Sequence, residues 1–542
     1  GFNTMSFHFS SEGRPLCAIL STTSAQEAAE ILQDYLSRIT GTFFDIYTGE
    51  GRIPSHLSII RFIQTDAYSH TGFAYAITED GLCFSGASSE TFVYAVYDFL
   101  ERIIGCRYYT STVEYIPQNT NLSADFEPYS FIPLIDYREI YYKDFEDRVF
   151  ARKHKAAQSK VHEGWGFWCH SFQFLLPSKD YFEEHPEYFA LLNGKRHPAG
   201  EPCLSNLEVR RIMLENLRKF IDEKPECRYW SISQNDDNNY CQCEACKAID
   251  DYDESPMGSV LNFVNYIADE VPDKVISTLS YWYTRKPPKH TRPHSNVHIM
   301  TCNIEAGRGL PIEADPACKE SKEELEFWAS ISDHVSLWDY NIQFRNLVSP
   351  FPNLRTLAPN MQFFAKNKVK LLFSQCNREI GGEFSELRGY LLAKLAWDPY
   401  CNVEAHMEDF CKGYYKEASP YILEYIKCLH DAQDKFSKRL DIFGGPQDAK
   451  KTFLTQKLVQ HYDKLFAMAK EAVSYDKELL LRTETAYLPV LYAAIVLQYG
   501  SRNKRLERIN QFARIARATG LKMVEEWKIT VDQFVTDALA EL

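Results

Sequence analysis

Residues 229 to 283 indicate the fold most clearly and read YWSISQNDDNNYCQCEACKAIDDYDESPMGSVLNFVNYIADEVPDKVISTLSYWY. It opens and closes with short runs of β-branched and aromatic residues, which are typical of buried strands. Between them, MGSVLNFVNYIADEV has the apolar spacing of a helix. A strand, a helix and a second strand in this order predict a parallel βαβ unit. The first strand stops abruptly at Asn235, Asp236 and Asp237.

The same alternation continues on both sides of this stretch. Helical patterns separate several of the predicted strands, and eight strands with helical crossovers favour a (β/α)8 barrel over a doubly wound open sheet. The eight predicted strands are PLIDYREIYY, GFWCHSF, EPCLSN, YWSISQND, VISTLSYWY, NVHIMTCNIE, HVSLWDYN and VKLLFSQCN.

The two ends of the chain follow other patterns. Near the N-terminus, two amphipathic helical segments flank FAYAITEDGLCFSGAS, in which an Asp-Gly turn predicts a hairpin. After Glu383 only helical periodicity remains. We therefore predict an α/β fold class with an N-terminal α/β domain at residues 1–125, a central (β/α)8 TIM-like barrel at 126–400 and a C-terminal α-helical domain at 401–542.

Composition excludes several functions. The formal net charge is −14 and no long Lys/Arg run occurs, so nucleic acid is not an expected partner. No apolar run reaches the length of a membrane span. The N-terminus has no apolar signal core, so we expect either a cytosolic protein or one whose export signal has been removed. Aromatic residues make up 14%, which suits stacking on sugar rings as well as a large core.

Several carboxylates are predicted to meet at one end of the barrel, since catalytic groups of this fold follow the C-terminal ends of its strands. Asp236 and Asp237 follow the fourth predicted strand, Glu305 the sixth and Asp339 the seventh. Any one of these acids could instead cap a helix or pair with an arginine. Converging acids with aromatic and amide side chains around them are typical of a glycosidase site. The predicted substrate contacts are Arg138, His170, Asn235, Tyr281, Trp282, Trp338, Asp339, Tyr340 and Gln375.

Three cysteines follow the acids as C-x-C-x-x-C, at Cys241, Cys243 and Cys246. They could supply three thiolates to zinc, with Cys203, Cys227 or a distant histidine as the fourth ligand, but the spacing does not choose among these. A redox role is weaker, because no thioredoxin-like context surrounds Cys243 and Cys246. The total of 15 cysteines is odd, which favours free buried thiols. We expect packed thiols with no metal and no cofactor.

Several of these segments together resemble glycoside hydrolase family 163. They are YFEEHPEYFALLNGKR, CLSN, SISQNDDNNYCQCEACKAI, NVHIMTCNIE, LWDYN and LRGYLLAKLAWDP, in this order from about residue 130 to 415. The segment ASSETFVYAVYDFLERIIGCRYY resembles the α/β domain that precedes the barrel in hexosaminidases and α-glucuronidases. The resemblance implies a bacterial endo-β-N-acetylglucosaminidase that acts on complex N-glycans of glycoproteins, exported to the cell surface or periplasm. We further expect a monomer.

The resemblance also implies a mechanism in which the 2-acetamido group of the substrate is the nucleophile, one of the exceptions to the two-carboxylate scheme. Asp236 would orient the acetamide, and Glu305 would be the general acid/base, with Asp237 as the alternative acid. Asp339 would hold a sugar hydroxyl or orient Tyr340. The alternatives are an exo-acting β-hexosaminidase, an α-glucuronidase-like enzyme and a glycan-binding protein without catalytic activity.

Overall fold

The computed structural model describes residues 5–436 and 439–542. The chain forms two compact units. The central unit contains residues 159–341 and 359–375, and the flanking unit contains residues 1–158, 342–358 and 376–542. Each has its own sheet and its own helices.

The central unit is built on a curled parallel sheet. Five parallel pairings join six strands of this sheet, and the strands lie side by side in the order of the sequence. A doubly wound sheet reverses its strand order at a switch point, whereas this order never reverses, as expected for part of a barrel. The strands are β1 (Trp165–Phe167), β2 (Tyr229–Ser231), β3 (Val275–Leu279), β4 (Val297–Cys302), β5 (Val335–Tyr340) and β6 (Val369–Gln375).

Helices connect most of these strands. All five residues of β3 are buried, because a parallel sheet of this kind is covered on both faces. The connection from β3 to β4 contains no α-helix, only a single turn of 3-10 helix at Trp282–Thr284. The connecting helices are α1 (Leu207–Glu223), α2 (Glu244–Tyr252), α3 (Met257–Glu270), α4 (Lys319–Ile331) and α5 (Leu357–Lys366).

The structure corrects one predicted strand. EPCLSN forms only an isolated bridge between Phe189 and Pro202. Pro202 has no N–H to donate to a ladder, and the side chain of Glu201 points into the protein, where it accepts hydrogen bonds. The other seven predicted strands form, one of them, Tyr137–Ile140, in the flanking unit.

The flanking unit combines a mixed sheet with a helical C-terminal region. The predicted hairpin is present as Phe73–Thr78 and Gly81–Gly86. Its sheet also contains Cys17–Leu20, Ile46–Tyr47, Ser58–Gln64 and Tyr129–Phe131, and the helices Gln26–Thr40 and Ser89–Phe99 belong to the same region. The C-terminal helices are Ser385–Trp397, Val403–Tyr415, Ser419–Phe436, Gln456–Ala472, Lys477–Val496, Arg502–Thr519 and Val531–Ala540.

Among the described residues, one helix is long and apolar enough to cross a membrane, Lys477–Val496. Most of its apolar stretch, 72%, is buried inside the protein. Burial of this extent is what a core helix of a folded domain shows.

Candidate active site

Asp236 follows β2 and is exposed, and its carboxylate accepts hydrogen bonds from two aromatic side chains. Trp282 Nε1 donates to Asp236 Oδ1 at 2.9 Å, and the Tyr281 hydroxyl donates to the same oxygen at 3.2 Å. Both donors follow β3, which is the neighbour of β2, so the parallel sheet brings the two strand ends together. Burial, and then the charge of Asp236, raise the pKa of Tyr281, so its hydroxyl remains a donor.

Trp282 adopts an unusual backbone conformation at this position. Its φ is 54°, in the left-handed region that non-glycine residues rarely occupy. The indole is also 49% exposed. Such a conformation costs on the order of 1 kcal/mol and is concentrated at functional sites. This conformation places the exposed indole beside the Asp236 carboxylate, to which its N–H donates.

Arg285, three residues after Trp282, forms an ion pair with Glu305. Arg285 Nη1 is 2.9 Å from Glu305 Oε1, and its Nη2 lies 3.2 Å from Glu320 and 3.3 Å from Glu324. The Glu305 side chain is 57% exposed. Glu305 shares the Arg285 guanidinium with the other two carboxylates. Residues 281–285 thus contact both Asp236 and Glu305.

Asp339 is buried, and neighbouring polar side chains contact both of its carboxylate oxygens. Its Oδ1 accepts from Asn303 Nδ2 at 2.7 Å and lies 3.4 Å from Arg308 Nη2, and its Oδ2 accepts from Asn341 Nδ2 at 3.2 Å. The residue is 5% exposed. Asp339 therefore connects Asn303, which follows β4, with Asn341, which follows β5, and its contact with a sugar stays a prediction.

The aromatic residues of β5 pair with the neighbouring strands. The Tyr340 hydroxyl is 3.0 Å from Cys302 Sγ on β4, and burial raises the pKa of Tyr340. Trp338 Nε1 donates to Gln375 Oε1 on β6 at 2.8 Å. The Trp338 ring also packs edge-on against Phe373, with 4.8 Å between centroids. Trp338, Tyr340 and Gln375 therefore line the same end of the sheet, with Tyr340 buried.

Glu201 is a buried carboxyl group that the sequence did not single out. It accepts from the Asn235 N–H at 3.0 Å and from the Tyr283 hydroxyl at 3.2 Å. Burial first, and then the charge of Asp237, raise the pKa of Glu201 to about 8. A predicted strand at EPCLSN does not tell which way the Glu201 side chain points. Glu201 fixes the backbone immediately before Asp236.

The remaining predicted residues divide between the two units. His170 has a φ of 52° and its Nδ1 lies 2.8 Å from the Gln234 carbonyl oxygen, beside the loop that carries Asp236. Asn235 Oδ1 accepts from the Gln173 N–H at 3.1 Å. Arg138 belongs to the flanking unit, where it is 4% exposed and donates to the carbonyls of Lys155 and Ile135. The contact of Arg138 with a substrate stays a prediction.

Among the described residues, four cysteines of the central unit could hold a metal ion. The thiols of Cys203, Cys241, Cys243 and Cys246 all lie within 4.8 Å of one another.

Comparison with solved structures finds glycoside hydrolases at very low sequence identity. A GH138 enzyme targeting pectin rhamnogalacturonan II aligns over 97% of this chain and 98% of its own, with 10% identity and a TM-score of 0.51. A family 89 glycoside hydrolase from Clostridium perfringens, in complex with 2-acetamido-1,2-dideoxynojirmycin, aligns over 91% of this chain and 65% of its own, with 10% identity and a TM-score of 0.50. The fold is thus one that glycoside hydrolases use.

No curated protein sequence matches the chain significantly. The family described as "Domain of unknown function (DUF4838)" matches residues 108–427, which is more than half of the chain. The chain belongs to this DUF4838 family.

Proposed function

We propose that the protein is a glycoside hydrolase of 2-acetamido sugars and, more specifically, an endo-β-N-acetylglucosaminidase that cleaves the GlcNAc-β1,4-GlcNAc core of complex N-glycans. The observation that carries the proposal is the contact of Asp236 with the Tyr281 hydroxyl and the Trp282 indole. The resemblance of the sequence to glycoside hydrolase family 163 supports the finer assignment.

The Asp236 and Tyr281 pair is complementary to an acetamido group. An amide presents one donor, its N–H, and one acceptor, its carbonyl oxygen. Asp236 offers a carboxylate acceptor, and Tyr281 offers a hydroxyl that keeps its proton. With the substrate bound, Asp236 accepts from the acetamide N–H and Tyr281 donates to the acetamide oxygen, while Trp282 covers the methyl side.

This arrangement supports substrate-assisted retention. The acetamide oxygen attacks the anomeric carbon, the bond to the leaving oxygen breaks, and an oxazoline forms in its protonated state, with its N–H hydrogen-bonded to Asp236. Asp236 orients the acetamide and stabilises the positive charge that develops on its nitrogen. Glu305 protonates the leaving oxygen and then removes a proton from the water that opens the oxazoline. Asp237 is the alternative acid, since it adjoins Asp236 directly.

Exposure of the site favours cleavage within a chain over cleavage of a terminal sugar. The Glu305 side chain is 57% exposed, and Trp282 is 49% exposed. An exo-acting enzyme encloses one terminal residue in a pocket, whereas an endo-acting enzyme must admit sugars on both sides of the bond. The Clostridium perfringens neighbour holds a ligand whose name specifies a 2-acetamido group, which is in keeping with the proposed substrate class.

The test is mass spectrometry of a glycoprotein carrying complex N-glycans before and after incubation with the protein. The expected result is release of the glycan, with one GlcNAc left on each modified asparagine. Asp236→Asn should abolish this release, and Asp251→Asn, which alters an exposed carboxylate paired with Lys247 on α2, should not.

Two results would contradict the proposal. Release of terminal GlcNAc alone, with the core intact, would identify an exo-acting hexosaminidase. Unchanged glycoprotein, together with binding of its glycans to the protein, would identify a glycan-binding protein without catalytic activity.

A further inference from the structure

Four cysteines from separate parts of the sequence converge in the central unit. The sulfur atoms of Cys203, Cys241, Cys243 and Cys246 all lie within 4.8 Å of one another, and all four residues are buried. Cys203 Sγ is 3.8 Å from both Cys243 Sγ and Cys246 Sγ. Sequence spacing left the fourth ligand of the C-x-C-x-x-C group open, and the fold supplies it as Cys203.

The spacing of the sulfurs suits a tetrahedral metal site. Four thiolates at about 2.3 Å from a zinc ion lie about 3.8 Å from one another. A disulfide would instead bring two sulfurs to about 2.05 Å, and all four cysteines are free thiols. Closed four-sulfur sites of this geometry are typical of structural zinc.

Hydrogen-bond donors point at the sulfurs, as they do around metal-bound thiolates. The Leu191 N–H donates to Cys241 Sγ at 3.4 Å, and the Cys246 N–H donates to Cys243 Sγ at 3.5 Å. Cys243 also lies at the N-terminus of α2, where the helix dipole favours negative charge. These donors would lower the energy of the charged thiolates.

Nearby side chains complete this environment. Arg196 Nη1 lies 3.7 Å from Cys241 Sγ and brings a positive charge to a group that would carry two negative charges with zinc bound. The Ser205 hydroxyl lies 3.0 Å from Cys246 Sγ. A short hairpin, Leu191–Leu192 and Lys195–Arg196, carries Arg196 and packs its leucines against the cluster. Apolar packing and hydrogen-bond donors thus surround the four sulfur atoms.

We propose that Cys203, Cys241, Cys243 and Cys246 bind one zinc ion as a structural tetrathiolate site, in place of the packed thiols without metal that the sequence led us to expect. The ion would join the segment at residues 201–206 to the loop at residues 235–246. Glu201, two residues before Cys203, accepts a hydrogen bond from the Asn235 N–H. The zinc site would therefore stabilise the position of the loop that carries Asp236. This inference does not depend on the proposed activity, because a structural zinc would be present whatever the loop does.

The experiment is metal analysis of the whole wild-type chain, purified without chelators from cells supplied with zinc. We expect one zinc per chain, and X-ray absorption at the zinc edge should show four sulfur ligands at about 2.3 Å. The Cys241→Ser/Cys243→Ser double variant should lose the zinc. Cys227→Ser, which alters a buried cysteine of the same unit outside the cluster, should keep it.

A wild-type chain with no more zinc than the double variant would overturn the proposal, as would one iron per chain or a zinc ion bound by nitrogen and oxygen. If the double variant fails to fold, a measurement on the wild-type chain alone still tests the proposal. Titration of its thiols with a mercurial reagent, with a zinc-sensitive dye present, should release one zinc per chain. Absence of release would overturn the proposal.

Discussion

At the scale of single residues, two acids compete for one role, which is protonation of the leaving oxygen. Glu305 is exposed and paired with Arg285, and Asp237 adjoins Asp236 and accepts from the Asn239 N–H at 2.9 Å. The sequence identified both acids from their positions after strands. It could not supply the Arg285 contact, because that contact depends on how the connection from β3 to β4 folds.

Replacing Glu305 with Gln removes the proton source and keeps the shape of the side chain. Glycan release should fall by roughly 10²–10⁴-fold, while an aryl glycoside with a good leaving group should be affected less. Steady-state rates on the two substrates measure this difference. Near-normal glycan release by Glu305→Gln, combined with loss of release in Asp237→Asn, would move the acid to Asp237.

Glu201 should make the stability of the protein depend on pH. Burial raises the pKa of Glu201 to about 8 in the folded protein, whereas the ordinary pKa of 4.5 applies in the unfolded chain. Between these values the folded state holds one more proton than the unfolded state, so stability should fall as pH rises from about 4.5 to about 8. The slope from this group would reach about 1.4 kcal/mol per pH unit.

Glu201→Gln keeps an oxygen that can accept from the Asn235 N–H and the Tyr283 hydroxyl but cannot ionise. Chemical unfolding at about pH 5 and about pH 8 should show a smaller loss of stability in this variant than in the wild type. Equal losses in the two proteins would show that Glu201 does not retain its proton in the folded state.

At the scale of elements, the ends of β4 and β5 are joined by one buried network around Asp339. Its position after a strand made Asp339 a candidate sugar contact. The hydrogen bonds from Asn303 and Asn341 and the Arg308 ion pair instead account for both of its carboxylate oxygens. Position after a strand predicts the end of the sheet that a residue occupies, but not whether neighbouring side chains bury it.

Asp339→Asn should therefore act on stability. The substitution removes the negative charge that lies 3.4 Å from the buried Arg308 guanidinium, and breaking a buried ion pair costs about 3 kcal/mol or more in other proteins. Unfolding in urea, followed by tryptophan fluorescence, measures the loss. Asp251→Asn, which breaks an exposed ion pair with Lys247, should cost less than about 1 kcal/mol. Unchanged stability of Asp339→Asn, with weakened glycan binding, would favour the sugar-contact role.

At the scale of the whole molecule, periodicity predicted most of the architecture. Seven of the eight predicted strands form, and the N-terminal hairpin and the C-terminal helices are present. The strand that failed, EPCLSN, contains Pro202 and the inward-pointing Glu201. Cysteine spacing could not predict that Cys203 lies beside Cys241, Cys243 and Cys246. About 40 residues separate Cys203 from the other three, and only the fold brings the four thiols together.

The proposed activity depends on the Asp236 and Tyr281 pair binding an acetamido group. The most direct test is calorimetric titration of the wild-type, Asp236→Asn and Glu305→Gln proteins with GlcNAc-thiazoline, a stable mimic of the oxazoline. We predict that the wild type and Glu305→Gln bind it and that Asp236→Asn binds it at least about tenfold more weakly, a loss of about 1.4 kcal/mol. Absence of binding to the wild type, or equal binding to the wild type and Asp236→Asn, would contradict the account.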